Sequence, residues 1–519
     1  MQLVRNTRSS SPPPSPSPII VTRLTPYPPS AIITSERDSL LLQLRQLERA
    51  AQPLDPGANR RKKLRALIFA AAERFLRRID SQRAFVESDS KGSGLLDLPI
   101  SEHARDAATL LGVLEREVIQ PGGHPASPGY LAYIPGGGLY QSALGDYLAA
   151  VTDKYAGVFF AGPGAVRMEN MLIRWVADLA GYPPTAAGNI ASGGSIANLI
   201  AITTARDAHH LTSADYPRAV VYLTDQAHHS IQKALRVAGL AEAQIRSVPV
   251  DDRYRMRVDA LAQAIAADRA AGLKPWLIAA AAGATDTGAV DPLHDIAAVA
   301  EKESCWFHVD AAYGGFFLLT EHGREILRGI ERSDSAVLDP HKGLFLPWGS
   351  GMVIVRDAKL LEASNNYSGN YMQDAVREAG VLSPADLSPE LTKHFRGLRM
   401  WLPLMLAGLK PFRAALEEKL LLARYFYDEV RELGFETGPA PDLSIVTFRW
   451  HPRDAAAGDV DQMNRRIADA LRKDGRIFMS TTVLDGKFTI RMAALGFRTH
   501  RRDIDLALRL LKEQVAAIT

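Results

Sequence analysis

The sequence predicts an α/β protein with a mainly parallel sheet that is covered by helices on both faces. Between Leu139 and Arg356, short apolar segments alternate with segments whose apolar residues recur at helical spacing. A strand that is apolar along its whole length is buried on both faces, and helices between such strands make the sheet parallel. The apolar segments, in chain order, are GNIAS, RAVVYLT, IRSVPV, PWLIAAAAG, WFHVD, SAVLD and GMVIVR.

The chain on either side of this alternation has a different pattern. Residues 36–135 contain three amphipathic helical segments and then the turn-rich stretch GGHPASPGYLAYIPGGG. The C-terminal part predicts a helix, the strand DLSIVTFRW, a helix, a hairpin that turns at Asp485 and Gly486, and a final helix. We therefore expect an N-terminal helical segment over 36–135, a large domain over 136–398 and a small α+β domain over 399–519.

The first 35 residues predict a disordered tail. They hold eight prolines, three arginines and no acidic residue, around the low-complexity stretch SSSPPPSPSP. Proline blocks helix formation, and too few apolar residues are present to offset the entropy lost on ordering. A transit peptide is the alternative interpretation, although such a peptide should be amphipathic.

The composition excludes several classes of protein. An apolar fraction of 47% and a charged fraction of 23% are typical of globular proteins. Lysine and arginine number 61 against 58 for aspartate and glutamate, so we expect no nucleic acid and no membrane surface as partner. No apolar run reaches about 18 residues, which predicts that no helix crosses a membrane. The single cysteine, Cys305, excludes an intramolecular disulfide and a multi-cysteine zinc site, and we expect no metal.

Five predicted strands end in, or are followed by, polar groups that packing alone does not require. These groups are GGS at 193–195, His228, Thr285, Asp310 and Lys342. Each has an ordinary explanation, such as a helix cap, a turn cap or a lysine that reaches solvent along an apolar surface. Because ligands of parallel sheets bind where the strands end, five such groups together favour a ligand site.

One cofactor, pyridoxal 5′-phosphate, requires all of these groups. It needs a lysine for a Schiff base, a carboxylate near its ring nitrogen, a phosphate cradle at a helix start and a flat group against its ring. Lys342, Asp310, Gly194 with Ser195, and His228 fill these roles. The apolar neighbours of Lys342 are then understandable, because an imine avoids the cost of burying a free ammonium group.

The ordered motifs ASGGSIANL, TDQAHHSI, GATDTGAVD, HVDAAYGG and DPHKG resemble those of the group II pyridoxal-phosphate decarboxylases. This family includes aromatic-L-amino-acid, histidine, tyrosine and glutamate decarboxylases. The resemblance runs from about residue 36 to the end of the chain. It implies the fold type I architecture with a seven-stranded sheet. It also implies a homodimer with active sites at the interface, in which the N-terminal segment packs on the partner subunit.

The resemblance implies a role for each residue around the cofactor. Lys342 carries the cofactor, and Asp310 pairs with the ring nitrogen. His228 stacks over the ring, Ala312 packs beneath it, and Thr285 lies near the ring hydroxyl and Asp310. The residues implied around the phosphate are Gly194, Ser195, Asp339 and His341, the last of which could instead lie near the substrate carboxylate.

Other motifs of the family imply residues on the substrate side. SGNYMQD matches a mobile catalytic loop whose tyrosine, here Tyr371, protonates the carbanion, with His228 as the alternative proton donor. In the following segment, LSPELTKHFRGLRMW, Arg396 is the most family-like basic residue. The residues that we expect near the substrate are Tyr133, Pro135, His124, Phe159 and Trp348.

The implied reaction is decarboxylation of an L-amino acid to its amine and CO₂, through an external aldimine and a quinonoid, by a cytoplasmic enzyme. Three departures from the family bear on the substrate. Gly343 stands where the family usually has tryptophan, Gly157 stands where animal aromatic decarboxylases have phenylalanine, and HPASPG precedes the AYIP-like segment. Because no cluster of basic residues awaits an acidic side chain, we expect an aromatic or other apolar amino acid.

Two alternatives to simple decarboxylation stay open. The first is another outcome of the same cofactor chemistry, such as oxidative deamination to an aldehyde, transamination or carbon–carbon lyase chemistry. The presence of Tyr371 and His228 favours protonation, and hence decarboxylation, over this outcome. The second is a non-catalytic scaffold with the same fold, which the complete set of functional groups disfavours.

Overall fold

The computed structural model of the protein describes residues 31–366, 380–452 and 457–518. By compactness the chain divides into two units, residues 1–70 and 71–519. Among the helices in the described ranges, none is long and apolar enough to cross a membrane.

The first unit contains helix α1 (Ala31–Ala51) and the beginning of helix α2 (Ala58–Arg77). All side chains from Glu36 to Ala51 are exposed, and α2 buries none of its residues. The tail that the composition predicts up to residue 35 overlaps the start of α1. The last prolines of the tail are Pro28 and Pro29, so nothing in the sequence prevents a helix from Ala31 onward.

The third predicted helix is shorter than its apolar pattern suggests. It begins where the Asp106 carboxylate accepts a hydrogen bond of 2.9 Å from the backbone N–H of Thr109, and its last turns are π-helical over Glu115–Ile119. The elements of this region are β1 (Phe85–Val86), α3 (Ala107–Leu114), β2 (Gly122–Gly123) and β3 (Tyr130–Leu131).

Helices and strands alternate through residues 140–365, as the sequence predicts. In chain order they are α4 (Tyr140–Thr152), α5 (Pro163–Leu179), β4 (Ala187–Ala191), α6 (Gly194–Ala208), β5 (Ala219–Leu223), α7 (Ser230–Val237), β6 (Gln244–Ser247), α8 (Val258–Ala270), β7 (Lys274–Ala281), α9 (Leu293–Lys302), β8 (Trp306–Asp310), α10 (Glu321–Ile326), β9 (Ser335–Leu338), α11 (Pro340–Gly343), β10 (Gly351–Val355) and α12 (Ala358–Asn365). Their strands form one sheet of seven in the order β4-β10-β9-β8-β7-β5-β6. Strand β10 is antiparallel to both neighbours, and the other pairs are parallel. The predicted mainly parallel sheet is therefore confirmed.

Alternate residues of the central strands enter two different hydrophobic cores. In β5, Val220 and Tyr222 belong to one core, whereas Val221 and Leu223 belong to the other. Successive side chains of a strand point to opposite faces of its sheet, so both faces are covered. This double burial explains why the strands are continuous apolar segments in the sequence.

The C-terminal part of the chain, residues 397–518, contains the predicted elements, and its sheet includes one strand from earlier in the chain. Its elements are α13 (Gly397–Ala407), α14 (Leu409–Glu432), β11 (Glu436–Thr437), β12 (Ile445–Arg449), α15 (Ala457–Asp474), β13 (Phe478–Leu484), β14 (Lys487–Ala493) and α16 (Arg501–Ile518). The sheet order is β11-β12-β14-β13-β3, with β3 parallel to β13. At the hairpin between β13 and β14, Asp485 has φ 50° and Gly486 has φ 74°, as a two-residue turn requires.

Candidate active site

A cavity of about 430 Å³ lies where the loops after β4, β5, β7, β8 and β9 meet. In a parallel sheet this edge, at the carboxyl ends of the strands, is where ligands bind. Ten residues predicted for the site line the cavity, namely Gly194, Ser195, His228, Thr285, Asp310, Ala312, Asp339, His341, Lys342 and Trp348. Polar groups that are far apart in the sequence therefore face a single space.

The start of α6 forms a tight cradle beside Asp339. A Cβ atom at Gly194 would lie 3.0 Å from Asp339 Oδ2, and one at Gly351 would lie 2.6 Å from Asp339 Oδ1. Because glycine has no Cβ atom, the backbone at these two positions can lie this close to the Asp339 carboxylate. The first N–H groups of a helix have no partner within it and, together with the helix dipole, they favour an anion. The cradle therefore suits a phosphate group.

Lys342 is paired with Asp339 in the cavity. Its Nζ lies 3.1 Å from Asp339 Oδ2, and its side chain is 23% exposed. Asp339 is buried, and its other oxygen, Oδ1, has no hydrogen-bond partner among the described residues. The lysine is thus not a surface side chain that reaches solvent, because a buried carboxylate compensates its charge.

His341 is held between a backbone carbonyl and Asp339. Its Nδ1 donates a hydrogen bond to the carbonyl oxygen of Ser350, and its Nε2 lies 3.6 Å from Asp339 Oδ2. Burial lowers the pKa of His341. The centroid of its ring lies 5.2 Å from that of Trp348, whose carbonyl oxygen accepts a hydrogen bond of 2.7 Å from Arg399. These contacts fix the segment that follows Lys342.

Asp310 ends β8 with both carboxylate oxygens hydrogen-bonded. Oδ1 accepts from the backbone N–H of Ala312 at 3.1 Å, and Oδ2 accepts from Asn198 Nδ2 at 3.1 Å. Asp310 also pairs in register with Ala281 of the neighbouring strand β7. The carboxylate is thereby held in one orientation at the sheet edge, as a group that must face a ring nitrogen requires.

His228 precedes α7, and its Nδ1 is held by Ser230. Its Nδ1 lies 2.7 Å from Ser230 Oγ and 3.2 Å from the backbone nitrogen of Ser230. Burial lowers the pKa of His228, so its ring is neutral near pH 7. A neutral flat ring in the cavity suits packing against an aromatic cofactor.

Several residues that line the cavity are absent from the sequence-based prediction. They are Asn198, Gln226, Ser230 and Tyr313, among others. Asn198 could have been found, because it follows Gly194 by four residues on α6 and so lies on the same helix face as the cradle.

Four predicted substrate residues, His124, Tyr133, Pro135 and Phe159, do not line this cavity of the described chain. His124 is buried between backbone carbonyls, with ring nitrogens 2.7 Å from the oxygen of Arg83 and 2.8 Å from that of Ile119. Tyr133 is 62% exposed. Contacts of these residues with a substrate stay predictions. Tyr371, predicted to protonate the carbanion, lies outside the described residues.

The departures from the family have local explanations. A Cβ atom at Gly343 would lie 2.7 Å from the Cβ of Phe316, which is fully buried. Phenylalanine therefore occupies space beside residue 343, where the family usually has tryptophan. A Cβ atom at Gly157 would lie 2.4 Å from the carbonyl oxygen of Leu391, so no side chain fits there without a shift of the backbone.

Arg396 lies outside the lining of the cavity. Its guanidinium donates to both carboxylate oxygens of Glu390 at 3.1 Å and to the carbonyl oxygen of Ile190 at 3.4 Å. Nearby, the fully buried side chains of Lys393 and Glu169 form an ion pair of 2.8 Å. These contacts indicate that Arg396 anchors the chain after residue 380 to the large domain.

The groups that line the cavity fit pyridoxal 5′-phosphate. They include the amine of Lys342, the carboxylate of Asp310 fixed at a strand end, a glycine-lined helix start and the neutral imidazole of His228. The start of α6 has no side-chain cap, so its first N–H groups are available to a phosphate. Lys342, Asp310, Gly194 with Ser195, and His228 are the residues that would hold the cofactor.

Fold and site together define a pyridoxal-phosphate-dependent decarboxylase, and the chain belongs to that family, since residues 90–451 match the pyridoxal-dependent decarboxylase conserved domain. Aromatic-L-amino-acid decarboxylase of Bacillus atrophaeus is 34% identical over 425 residues, which cover 80% of this chain and 88% of the relative. Phenylacetaldehyde synthase of Arabidopsis thaliana is 28% identical over 414 residues, which cover 77% and 84%. The crystal structure of Oryza sativa TDC with PLP and tryptamine matches with a TM-score of 0.84 at 26% identity, over 89% of this chain and 99% of that one. The protein is thus a carboxy-lyase with pyridoxal 5′-phosphate as cofactor.

Proposed function

We propose that the protein decarboxylates an aromatic L-amino acid and that the cavity around Lys342 is its active site. The observation that carries this proposal is that Lys342, Asp310 and the start of α6 face one cavity. The basic side chains in the described lining are Lys342, His228 and His341, and each has a proposed role near the cofactor. None is therefore left to bind an acidic substrate side chain. Trp348, 53% exposed and part of the lining, offers an apolar surface to an aromatic ring.

The proposed roles of the residues follow from their contacts. When bound, pyridoxal 5′-phosphate supplies an electron sink for the bond between Cα and the carboxylate. Lys342 provides the amine that attaches the cofactor and gives way to the amine of the substrate. Asp310, held by two hydrogen bonds, keeps a proton on the ring nitrogen. His228 packs its neutral ring against the cofactor, and Gly194 with Ser195 binds the phosphate.

The cavity also favours the loss of CO₂ over retention of the carboxylate. A carboxylate that is removed from water is poorly solvated, whereas CO₂ is neutral. We assign the subsequent protonation of Cα to Tyr371. The phenol of Tyr371 would protonate Cα while water is excluded from the site.

We propose, further, that the protein is a homodimer in the cytoplasm. Helix α1 has five exposed leucines, Leu40, Leu41, Leu42, Leu44 and Leu47. Apolar side chains in such numbers favour a helix that packs on a partner subunit. Light scattering should give twice the mass of 56.6 kDa for the full chain. A truncation that begins at Ala58 should lower the share of dimer, and an unchanged dimer would reject this role of α1.

The function is tested by CO₂ release from a panel of amino acids. The panel contains L-tryptophan, L-tyrosine and L-phenylalanine against L-glutamate and L-lysine, with Lys342→Ala as blank. We expect equal amounts of CO₂ and amine from one or more aromatic substrates and none from the blank. Faster release from L-glutamate would reject the aromatic substrate. Aldehyde with an equal amount of hydrogen peroxide would favour the second candidate, an aldehyde synthase such as the Arabidopsis thaliana relative.

A further inference from the structure

A chain of buried polar side chains runs behind the cavity. Trp306 Nε1 donates a hydrogen bond of 2.8 Å to Ser335 Oγ, which lies 2.9 Å from His308 Nδ1. On the other side of the ring, His308 Nε2 lies 3.0 Å from Asn198 Oδ1. All four side chains are buried. Because buried polar groups are costly unless paired, such a network holds its members in one arrangement.

Asn198 divides this network into two branches. One N–H of its Nδ2 donates to Asp310 Oδ2 at 3.1 Å, and the other donates to Ser230 Oγ at 2.8 Å. Ser230 in turn contacts His228 Nδ1 through both its hydroxyl and its backbone nitrogen. A single amide therefore joins the carboxylate and the imidazole that we assign to the cofactor ring.

The chemistry of the groups sets the direction of these hydrogen bonds. An indole N–H only donates, and a carboxylate only accepts. Asn198 must therefore turn its NH₂ toward Asp310 and its oxygen toward His308, whose Nε2 carries the proton. Burial lowers the pKa of His308, so its Nδ1 is bare and accepts from the hydroxyl of Ser335.

The same reasoning gives the tautomer of His228. The backbone N–H of Ser230 can only donate, so His228 Nδ1 must present a free electron pair. The Ser230 hydroxyl accepts from Asn198 and donates to the same Nδ1. The one proton of the neutral ring is then on Nε2. The titratable groups around His228 include Asp310, His229, Lys342 and Asp339.

We propose that Asn198 is a positioning residue that couples Asp310 to His228. It holds the Asp310 carboxylate with one N–H and, through Ser230, keeps His228 neutral with its proton on Nε2. The inference rests on the proposed roles of Asp310 and His228. With Nδ1 occupied by two donors, His228 offers a hydrogen bond from Nε2 and holds no second proton. Protonation of Cα is therefore left to another group.

The test compares two variants of the network with a control on the same helix. Ser230→Ala removes the hydroxyl from His228 Nδ1, and Asn198→Ala removes both branches. The control is Thr204→Ala. Thr204 is buried on α6, and its hydroxyl donates to the carbonyl oxygen of Ile200 and lies 3.0 Å from Ser364 Oγ, neither of which lines the cavity. In the cofactor-loaded full chain labelled with ¹⁵N-histidine, the signals of His228 are identified by their absence in His228→Gln.

We expect a bare Nδ1 and a protonated Nε2 on His228 of the native enzyme at pH 7 and above, because burial lowers the pKa of its ring. In Ser230→Ala, Nδ1 keeps only the backbone N–H of residue 230 as donor, so His228 should keep its proton on Nε2 but take up a second proton at higher pH than in the native enzyme. In Asn198→Ala, kcat should fall about 10- to 100-fold, as for a lost hydrogen bond to a charged group, while KM changes less than about threefold. Thr204→Ala should match the native enzyme in both measurements.

A proton on Nδ1 of His228 in the native enzyme would overturn the proposal. So would spectra and kinetics of Ser230→Ala and Asn198→Ala that match those of Thr204→Ala. If circular dichroism shows that Asn198→Ala does not fold, the test of the proposal rests on Ser230→Ala alone. That variant loses only one hydroxyl group, which is a smaller change to the buried network. If the native enzyme binds the cofactor but releases no CO₂ from any amino acid, the proposed function fails, while the ¹⁵N spectra still decide on the tautomer.

Discussion

The cavity has two sides that are built differently. The side that we assign to the cofactor contains Asp310, Asp339 and Lys342, which lie at or shortly after strand ends and are hydrogen-bonded or ion-paired. The side that we assign to the substrate contains Trp348, a loop residue that is 53% exposed. The sheet thus holds the groups proposed for the chemistry, whereas the side chain proposed for the substrate lies on a loop that can vary without disturbing the core.

Removal of the amine on the cofactor side should have the largest effect. Lys342→Ala should lower kcat/KM by at least about 10³-fold, because the group that attaches the cofactor is lost. Lys359→Ala, which changes an exposed lysine on α12, is the matched control and should keep full activity. Steady-state amine formation is the measurement. Comparable activity of the two variants would show that the cofactor side is wrongly assigned.

Loss of the charge at the end of β8 should have the next largest effect. Asp310→Asn keeps the shape of the side chain but removes the carboxylate, and we expect kcat to fall about 10²- to 10³-fold. Asp295→Asn, at an exposed position of α9, should leave kcat unchanged. A change in KM alone for Asp310→Asn would mean that the carboxylate contributes to binding and not to the chemical step.

The packing of Gly343 against Phe316 can be tested through stability. Gly343→Ala places a methyl group 2.7 Å from the Cβ of Phe316 and should lower the free energy of unfolding by about 1–3 kcal/mol. Phe316→Ala alone should lower it by about 3–5 kcal/mol through the cavity that it leaves. The double variant should lose less than the sum, because removal of the ring at 316 leaves space into which the Cβ of residue 316 and the new methyl group can move apart. Additive losses in urea denaturation would show that the two positions do not compensate each other.

A change on the substrate side should have the smallest effect. Trp348→Ala should raise KM for an aromatic substrate about 3- to 10-fold, with kcat nearly unchanged, because it removes apolar surface and no reacting group. Initial rates over a range of substrate concentrations measure both constants. A large fall in kcat at constant KM would place Trp348 with the cofactor side. The distinction between the cofactor side and the substrate side of the cavity would then be lost.

The fold could be predicted largely from the sequence because burial on both faces makes central strands such as β5, β7 and β8 continuous apolar segments. That Asp310 and Lys342 face one cavity could be predicted because the ends of parallel strands lie at one edge of the sheet. Asn198 was missed because a single asparagine on a helix has many ordinary roles. The burial of His124 between backbone carbonyls depends on tertiary contacts that the sequence does not reveal.

The attachment of the cofactor to Lys342 is the central claim and can be measured directly. Borohydride reduction of the native holoenzyme converts a Schiff base into a stable secondary amine, which peptide mass spectrometry locates. We predict one phosphopyridoxyl group per chain, on the peptide that contains LDPHKGLF, at Lys342. A label on any other lysine, or no label on a protein that has bound the cofactor, would contradict the assignment of this cavity as the active site.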